Sequence, residues 1–295
     1  MPPTSPMPLA TFTHSSLHRG AFITLEGGEG TGKTTQARHI AERLRGKGIA
    51  AVTTREPGGS PRAEILRDVL LSGALKHLGP ETEAIVFSAA RIDHIDHMID
   101  PALAAGTWVI CDRFADSTRV YQGNFGGVDP AFLRRLEHVT LNGLQPDLTL
   151  ILDLPPAIGL ARAATRRGSE ASDRFESEGI AFHEALRQAY LEIAAAEPKR
   201  CIVVDAMRSE DEVAQAIWDV ITSRLLPDGE PRIAEATPRN LPSQEMASQE
   251  MAIQDMANGN VPSGNVPSGD VPTRGPKSPK SKRRARTDRT KSSDR

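Results

Sequence analysis

Cysteine is almost missing from this 295-residue chain. The two that occur, Cys111 and Cys201, are too few for a disulfide framework, and both sit in apolar runs that read as buried side chains in a reducing compartment. Aromatic residues reach only 4 % and apolar residues 38 %, against 24 glycines and 22 prolines. One packed domain of this length would hold more core-forming residues, so part of the chain is expected not to fold. There is no run of about 18 apolar residues, which argues against a membrane-spanning helix. The N-terminal stretch lacks a charged segment followed by an apolar one, so no secretory signal is read there, and Pro2, Pro3, Pro6 and Pro8 suggest a disordered leader. The expected location is the cytoplasm. Net charge is low too, at −2, but by cancellation. Residues 274–295 hold ten lysines and arginines against two aspartates, a net +8, so the other 273 residues carry −10.

What is present is a set of short apolar runs bounded by polar or turn residues: Ala21–Leu25, Ala50–Thr54, Thr107–Cys111, Leu148–Leu152 and Cys201–Val204. They are rich in β-branched residues and do not alternate, the pattern of strands covered on both faces of a parallel sheet. Helical spacing appears between them, over Thr34–Gly46, Pro61–Leu71, Glu81–Leu103, Pro130–Leu141, Phe182–Ala196 and Ser209–Leu226. Strands alternating with helices imply right-handed βαβ units and a three-layer α/β fold around a five-stranded parallel sheet.

Beyond Leu226 the apolar periodicity stops. Ser243–Ala247 (SQEMA) is repeated at Ser248–Ala252 and echoed as IQDMA, and VPSGN is followed by VPSGD. Such a segment buries too little apolar area to offset its ordering entropy. The expected organisation is a disordered leader over 1–19, one domain over 20–226, and a disordered low-complexity tail over 227–295 with a basic end.

The first strand runs into Glu26-Gly27-Gly28-Glu29-Gly30-Thr31-Gly32-Lys33-Thr34-Thr35. The span Gly27–Thr34 reads G-x-x-x-x-G-K-T, a phosphate-binding loop. Its glycines let backbone N–H groups converge on phosphate oxygens, Lys33 supplies a cation, and the Thr34 hydroxyl is a Mg²⁺ ligand. The helix that follows adds its positive N-terminal end. The strand-before, helix-after context is met, so the fold is expected to be a P-loop NTPase fold that binds a nucleoside triphosphate. Glu29 is out of place beside a triphosphate. It is either a solvated loop carboxylate, or it faces an acceptor hydroxyl or a metal-bound water.

Four further motifs sit at predicted strand ends, where open α/β sheets bind ligands. The second strand leads into Arg55-Glu56-Pro57-Gly58-Gly59. The third leads into Asp112-Arg113-Phe114, then Ser117-Thr118 and Tyr121-Gln122-Gly123. Arg55 is placed to clamp a monophosphate bidentately, or else pairs with Glu56. Asp112 holds Mg²⁺ through water or pairs with Arg113. Arg113 is a second cation for an acceptor phosphate. Phe87 and Arg91, four residues apart, share a helical face.

Together with the P-loop, these motifs resemble the bacterial thymidylate kinases, a family of nucleoside-monophosphate kinases, over residues 21 to about 220. The resemblance implies transfer of phosphate from Mg²⁺·ATP to dTMP, giving dTDP in dTTP biosynthesis. It also implies that Phe87 stacks on thymine, Arg91 contacts a base oxygen, and Thr118, Tyr121 and Gln122 surround the nucleoside. Glu29 would face the sugar 3′-hydroxyl, and Tyr121 would exclude a ribose 2′-hydroxyl. Residues 155–180 resemble the family's lid, including Asp173-Arg174-Phe175-Glu176. This P-loop lacks an arginine, and family members of that kind supply one from the lid. The candidates are Arg166, Arg167 and Arg174. A homodimer built through the Glu81–Leu103 helix is implied as well.

Two weaker signals remain. Asp93-His94-Ile95-Asp96-His97 resembles a metal cluster, but no further partner is evident, and the stretch reads as a solvated helix face. The basic run Lys280–Arg286 suits nucleic acid by charge alone, and without a folded module it reads as a solubilising tail.

Overall fold

The computed structural model describes residues 19–168 and 175–226. The expected leader, apart from Arg19, and the expected tail lie outside the described residues. Arg19 itself pairs with Asp147 at 2.7 Å.

Strands β1 (Phe22–Glu26), β2 (Ala51–Arg55), β3 (Trp108–Asp112), β4 (Leu148–Asp153) and β5 (Cys201–Asp205) form one parallel sheet in the order β2-β3-β1-β4-β5. The three inner strands are buried nearly throughout, as their unbroken apolar runs predict. The edge strands β2 and β5 are partly exposed. Side chains of β3 alternate between two cores. Trp108 and Ile110 join Ile40, Leu44, Ile217 and Ile221, while Val109 and Cys111 join Ile95, Ile99 and Phe114. Both cysteines are buried and free.

Each strand runs one residue beyond its apolar pattern, into Glu26, Arg55, Asp112, Asp153 and Asp205. The register sets Arg55 against Asp112, Leu25 against Asp112, and Asp153 against Asp205. The carboxyl edge of the sheet is therefore a row of charged side chains. Connections from the neighbouring strands β1 and β3 leave toward opposite halves of the sheet, which opens a crevice at that edge.

Helices α1 (Lys33–Gly46), α2 (Pro61–Leu71), α6 (Pro130–Leu141), α8 (Ile180–Ala196) and α9 (Glu210–Leu225) match the predicted stretches to within two residues. The single helix expected over Glu81–Leu103 is three pieces: α3 (Pro80–His94), a π-helical turn Ile95–Ile99, and α4 (Asp100–Ala104). Pro101 has no N–H to give the α-helical ladder, and the bonding widens just before it. Among the described residues, further helical elements were not anticipated, including a 3₁₀ turn over Lys76–Leu78. A short α5 (Ala115–Thr118) continues as a π-helical segment Arg119–Phe125 directly after β3, and α7 (Pro156–Arg167) occupies the first half of the expected lid.

Candidate active site

The loop between β1 and α1 is shaped by close backbone approach. A Cβ on Gly30, at φ 65°, would lie 1.9 Å from the Gly159 carbonyl oxygen, and one on Gly159 would lie 2.2 Å from that of Glu29. Loop and α7 touch backbone to backbone, and glycine at both positions is what permits it. Thr31 Oγ1 donates to the Gly28 carbonyl at 3.1 Å. Lys33 Nζ lies inside the loop, donating to the carbonyls of Gly28 (2.7 Å) and Gly27 (3.2 Å). Helix α1 has no acidic residue in its first turn and, among the described residues, no side-chain cap. Helix α9, by contrast, carries a Ser209–Glu212 capping box and three acids in its first turn. The positive end of α1 is thus left open for an anion.

A cavity of about 320 Å³ lies beside this loop at the carboxyl edge of the sheet. The loop contributes Glu29, Gly30, Gly32, Lys33 and Thr34 to its wall, and the strand ends contribute Arg55, Asp112 and Arg113. Phe87, Arg91, Thr118, Tyr121 and Gln122 form the far side, and Arg166 reaches in from α7. Gly27, Gly28 and Thr31 are not on the wall; they shape the loop from behind. Of the lid candidates, Arg166 lines the cavity, Arg167 is hydrogen-bonded to Glu176 and does not, and Arg174 lies outside the described residues. Glu56, Arg67, Phe114, Ser117, Phe175 and Glu176 also line the cavity and were not singled out as site residues from the sequence.

Asp112, Arg113 and Arg55 take their partners from other segments of the chain. Asp112 does not pair with Arg113: its Oδ2 accepts from the Thr34 hydroxyl at 2.5 Å. Arg113 instead meets Glu29, Nη2 to Oε1 at 2.5 Å, with its guanidinium 5.3 Å from the centre of the Tyr121 ring. Glu29 is therefore no solvated loop carboxylate; it turns toward Arg113, and the Tyr121 hydroxyl donates to it at 3.4 Å. Arg55 is paired not with Glu56 but with Glu64 of α2, at 3.0 Å, and stays largely exposed on the cavity rim.

Glu56 points inward and organises a buried cluster. Arg91 Nε donates to Glu56 Oε2 at 2.6 Å, and Arg91 Nη2 donates to the Phe114 carbonyl (3.1 Å) and Thr118 Oγ1 (3.0 Å). His94 is fully buried, its ring nitrogens 3.0 Å from Glu56 Oε1 and 2.7 Å from Thr54 Oγ1. The solvated face expected at Asp93–His97 holds for His97 and fails for His94, because α3 turns that side toward β2. Arg91 thus presents its edge to the cavity from a fixed seat, and Phe87, one turn earlier, is half-buried on the same wall.

Electrostatics divide two neighbouring carboxylates. Burial alone would raise Glu29, but Arg113 and Lys33 outweigh it and hold the group at about 2. Glu26, buried beneath the site, is pushed up to about 7 by burial and by the neighbouring Asp116. A carboxyl that titrates higher in the folded chain makes the native state bind the extra proton, so stability falls as pH rises from about 4.5 to about 7. Glu26→Gln should remove that slope. Its melting temperature relative to the parent should climb as pH rises across the window, by thermal denaturation at several pH values. A pH-independent difference would contradict the assignment.

Similarity to known proteins agrees with this geometry. The family model described as thymidylate kinase matches residues 25–217. A thymidylate kinase of Bradyrhizobium diazoefficiens is 56 % identical over 209 residues, covering 71 % of this chain and 92 % of that protein. One from Afipia carboxidovorans is 57 % identical over 207 residues (70 % and 91 %), and one from Nitrobacter winogradskyi is 57 % identical over 208 (70 % and 90 %). A P-loop at the centre of a parallel sheet, Lys33, Arg55, Arg91 and Arg113 around one cavity at its carboxyl edge, and a family match over residues 25–217 lead to one conclusion: the chain belongs to the thymidylate kinase family of nucleoside-monophosphate kinases.

Proposed function

We propose that the chain transfers the γ-phosphoryl group of ATP directly to dTMP, yielding ADP and dTDP. The observation that carries this reading is the convergence of cations on one cavity. Lys33 and the open end of α1 share it with Arg55 and Arg113. A monophosphate oxygen attacks the γ-phosphorus in line, the bond to the β,γ-bridging oxygen breaks, and ADP leaves. The acceptor needs no strong base, because its second ionisation, near pH 6, leaves it largely dianionic at neutral pH. The cations stabilise charge on the transferring group, and among the described lid arginines Arg166 lines the cavity and can join them.

Thr34 and Asp112 suit Mg²⁺: a hydroxyl and a carboxylate in contact on the cavity wall, both hard oxygen donors. Among the described residues no group of three or more His, Cys, Asp or Glu side chains forms a metal cage, which fits an ion carried mainly by substrate phosphates and water. When bound, Mg²⁺ supplies neutralisation of the phosphate charge.

Phe87 and Arg91 provide the base site, one by stacking and the other by hydrogen bonding from its fixed seat. Aromatic stacking on a base is worth about 1–3 kcal/mol. Tyr121, wedged against Phe175 and Phe182, crowds the sugar. A second copy of the chain would cover the exposed apolar side chains Ile65 and Val69 on α2 and Ile85 and Ile92 on α3. Sedimentation should then give twice the chain mass; a monomer at working concentrations would contradict it. Among the described residues no helix is long and apolar enough to cross a membrane, which accords with a cytoplasmic enzyme.

The test is ADP release, measured with dTMP, dUMP, dCMP, UMP and thymidine as acceptors. Preference for dTMP supports the reading. Preference for thymidine would make the chain a nucleoside kinase, and turnover indifferent to any acceptor would make it a switch ATPase.

A further inference from the structure

Arg113 is the non-glycine residue most demanding of its surroundings. Its φ of 69° lies in the left-handed region, and its side chain is half-buried at the cavity, so neighbouring contacts must hold both backbone and side chain in place. One terminal nitrogen, Nη2, is taken by Glu29. The other, Nη1, donates to the Tyr190 hydroxyl at 3.1 Å and approaches Ser117 Oγ at 3.4 Å.

Behind these hydroxyls lies Glu26. Ser117 Oγ donates to Glu26 Oε2 at 2.7 Å, and the Tyr190 hydroxyl reaches the same oxygen at 3.2 Å. The two hydroxyls are 2.9 Å apart. The other carboxyl oxygen, Oε1, accepts the Phe114 N–H at 2.8 Å, which ties Glu26 to the residue following Arg113. The direction of these bonds follows from proton count. A guanidinium can only donate, and each hydroxyl has a single proton. When Glu26 is ionised, the hydroxyl protons are drawn toward its carboxylate and their lone pairs are left for Arg113. Tyr190 is buried and does not line the cavity, so any effect it has on substrate must pass through another group.

We infer that Glu26, Ser117 and Tyr190 form a buried positioning relay that aims the Arg113 guanidinium at the acceptor phosphate. Tyr190 is the member that acts wholly through Arg113. The relay joins β1, the segment after β3, and α8, so the aim of the acceptor cation is set by the helix that follows the lid rather than by the Asp112-Arg113-Phe114 stretch alone. The inference rests on the assignment of Arg113 to the acceptor phosphate.

The experiment is a double-mutant cycle on the full chain, with steady-state kinetics for both substrates. Tyr190→Phe keeps the ring and removes only the hydroxyl. It should raise the dTMP KM about five- to tenfold, the scale of one lost intramolecular hydrogen bond, and leave the ATP KM unchanged. In an Arg113→Ala background the same change should have no further effect on the dTMP KM. Arg113→Lys, which keeps a cation beside Glu29, gives a second cycle with the same expectation should the alanine variant fold poorly. A Tyr190→Phe effect that falls equally on both KM values, or that persists at full size without Arg113, would overturn the relay and make Tyr190 a structural residue. An Arg113→Ala loss with an indifferent Tyr190→Phe overturns the relay alone. An Arg113→Ala variant with unchanged dTMP kinetics overturns the Arg113 assignment and the relay with it.

Discussion

Lys33→Ala should lower kcat by about a thousandfold, on the scale of removing a preorganised cation or donor from the charge that develops in a transition state. Lys33 is buried within the loop it serves, 2.7 Å from one loop carbonyl, so its ammonium is already in position and little reorganisation precedes reaction. Burial pulls the ammonium down from its usual range and Arg113 adds to this, while Glu29, Asp112 and Glu26 oppose both. The site thus balances a desolvated cation against surrounding carboxylates. Lys33→Arg should not rescue activity, because a planar guanidinium is broader than the ammonium the loop encloses. Steady-state ADP release checks this, with circular dichroism to establish folding. A folded variant that keeps more than about a tenth of the parent's kcat would remove Lys33 from the transition state.

Replacement of Arg113 should have the second-largest effect. Arg113→Ala removes the acceptor cation and also strands Glu29, whose carboxylate is held low chiefly by that guanidinium. Glu29 is only partly exposed, so leaving it without its cation should cost stability together with activity. Arg113→Lys separates the two. A lysine keeps a positive charge near Glu29 but offers a point donor where the fork could bind two phosphate oxygens. The expected result for Arg113→Lys is a melting temperature near the parent's with kcat/KM for dTMP down about a hundredfold, on the scale of losing one well-placed donor. Unchanged kcat/KM in Arg113→Lys would show that bidentate contact at this position is dispensable.

The parts of the site legible in the sequence are those carried by local pattern. The P-loop is a contiguous run whose glycines, lysine and threonine act within one strand–turn–helix unit. The strands appear as apolar runs because the inner strands are covered on both faces. Each strand's last residue was missed because Glu26, Arg55, Asp112, Asp153 and Asp205 look like turn residues, yet the ladder continues through them. That missed position is where the charged edge of the site lies.

What the sequence left open were partnerships between distant segments. Glu29 meets Arg113 across 84 positions and Arg113 meets Tyr190 across 77. Glu56 turns from its neighbour Arg55 to Arg91 and His94, 35 and 38 positions away. No spacing rule predicts such contacts, because the sheet order places β3 between β2 and β1 and only then brings these side chains together. Helix α7 was hidden for another reason. Its arginines and the resemblance to a lid drew attention from its helical signals, whereas Pro156 at its start and its alanines support a helix against which the P-loop packs.

The central claim is that one cavity holds a nucleoside triphosphate and a monophosphate for direct transfer. Reaction of the full chain with ATP labelled at the γ-phosphate and dTMP, followed by separation of the products, tests it most directly. The account predicts that the label moves into dTDP in step with ADP formation, with no matching release of labelled inorganic phosphate. Label appearing in inorganic phosphate at the rate of ADP formation, or in a product formed as readily from thymidine as from dTMP, would contradict it.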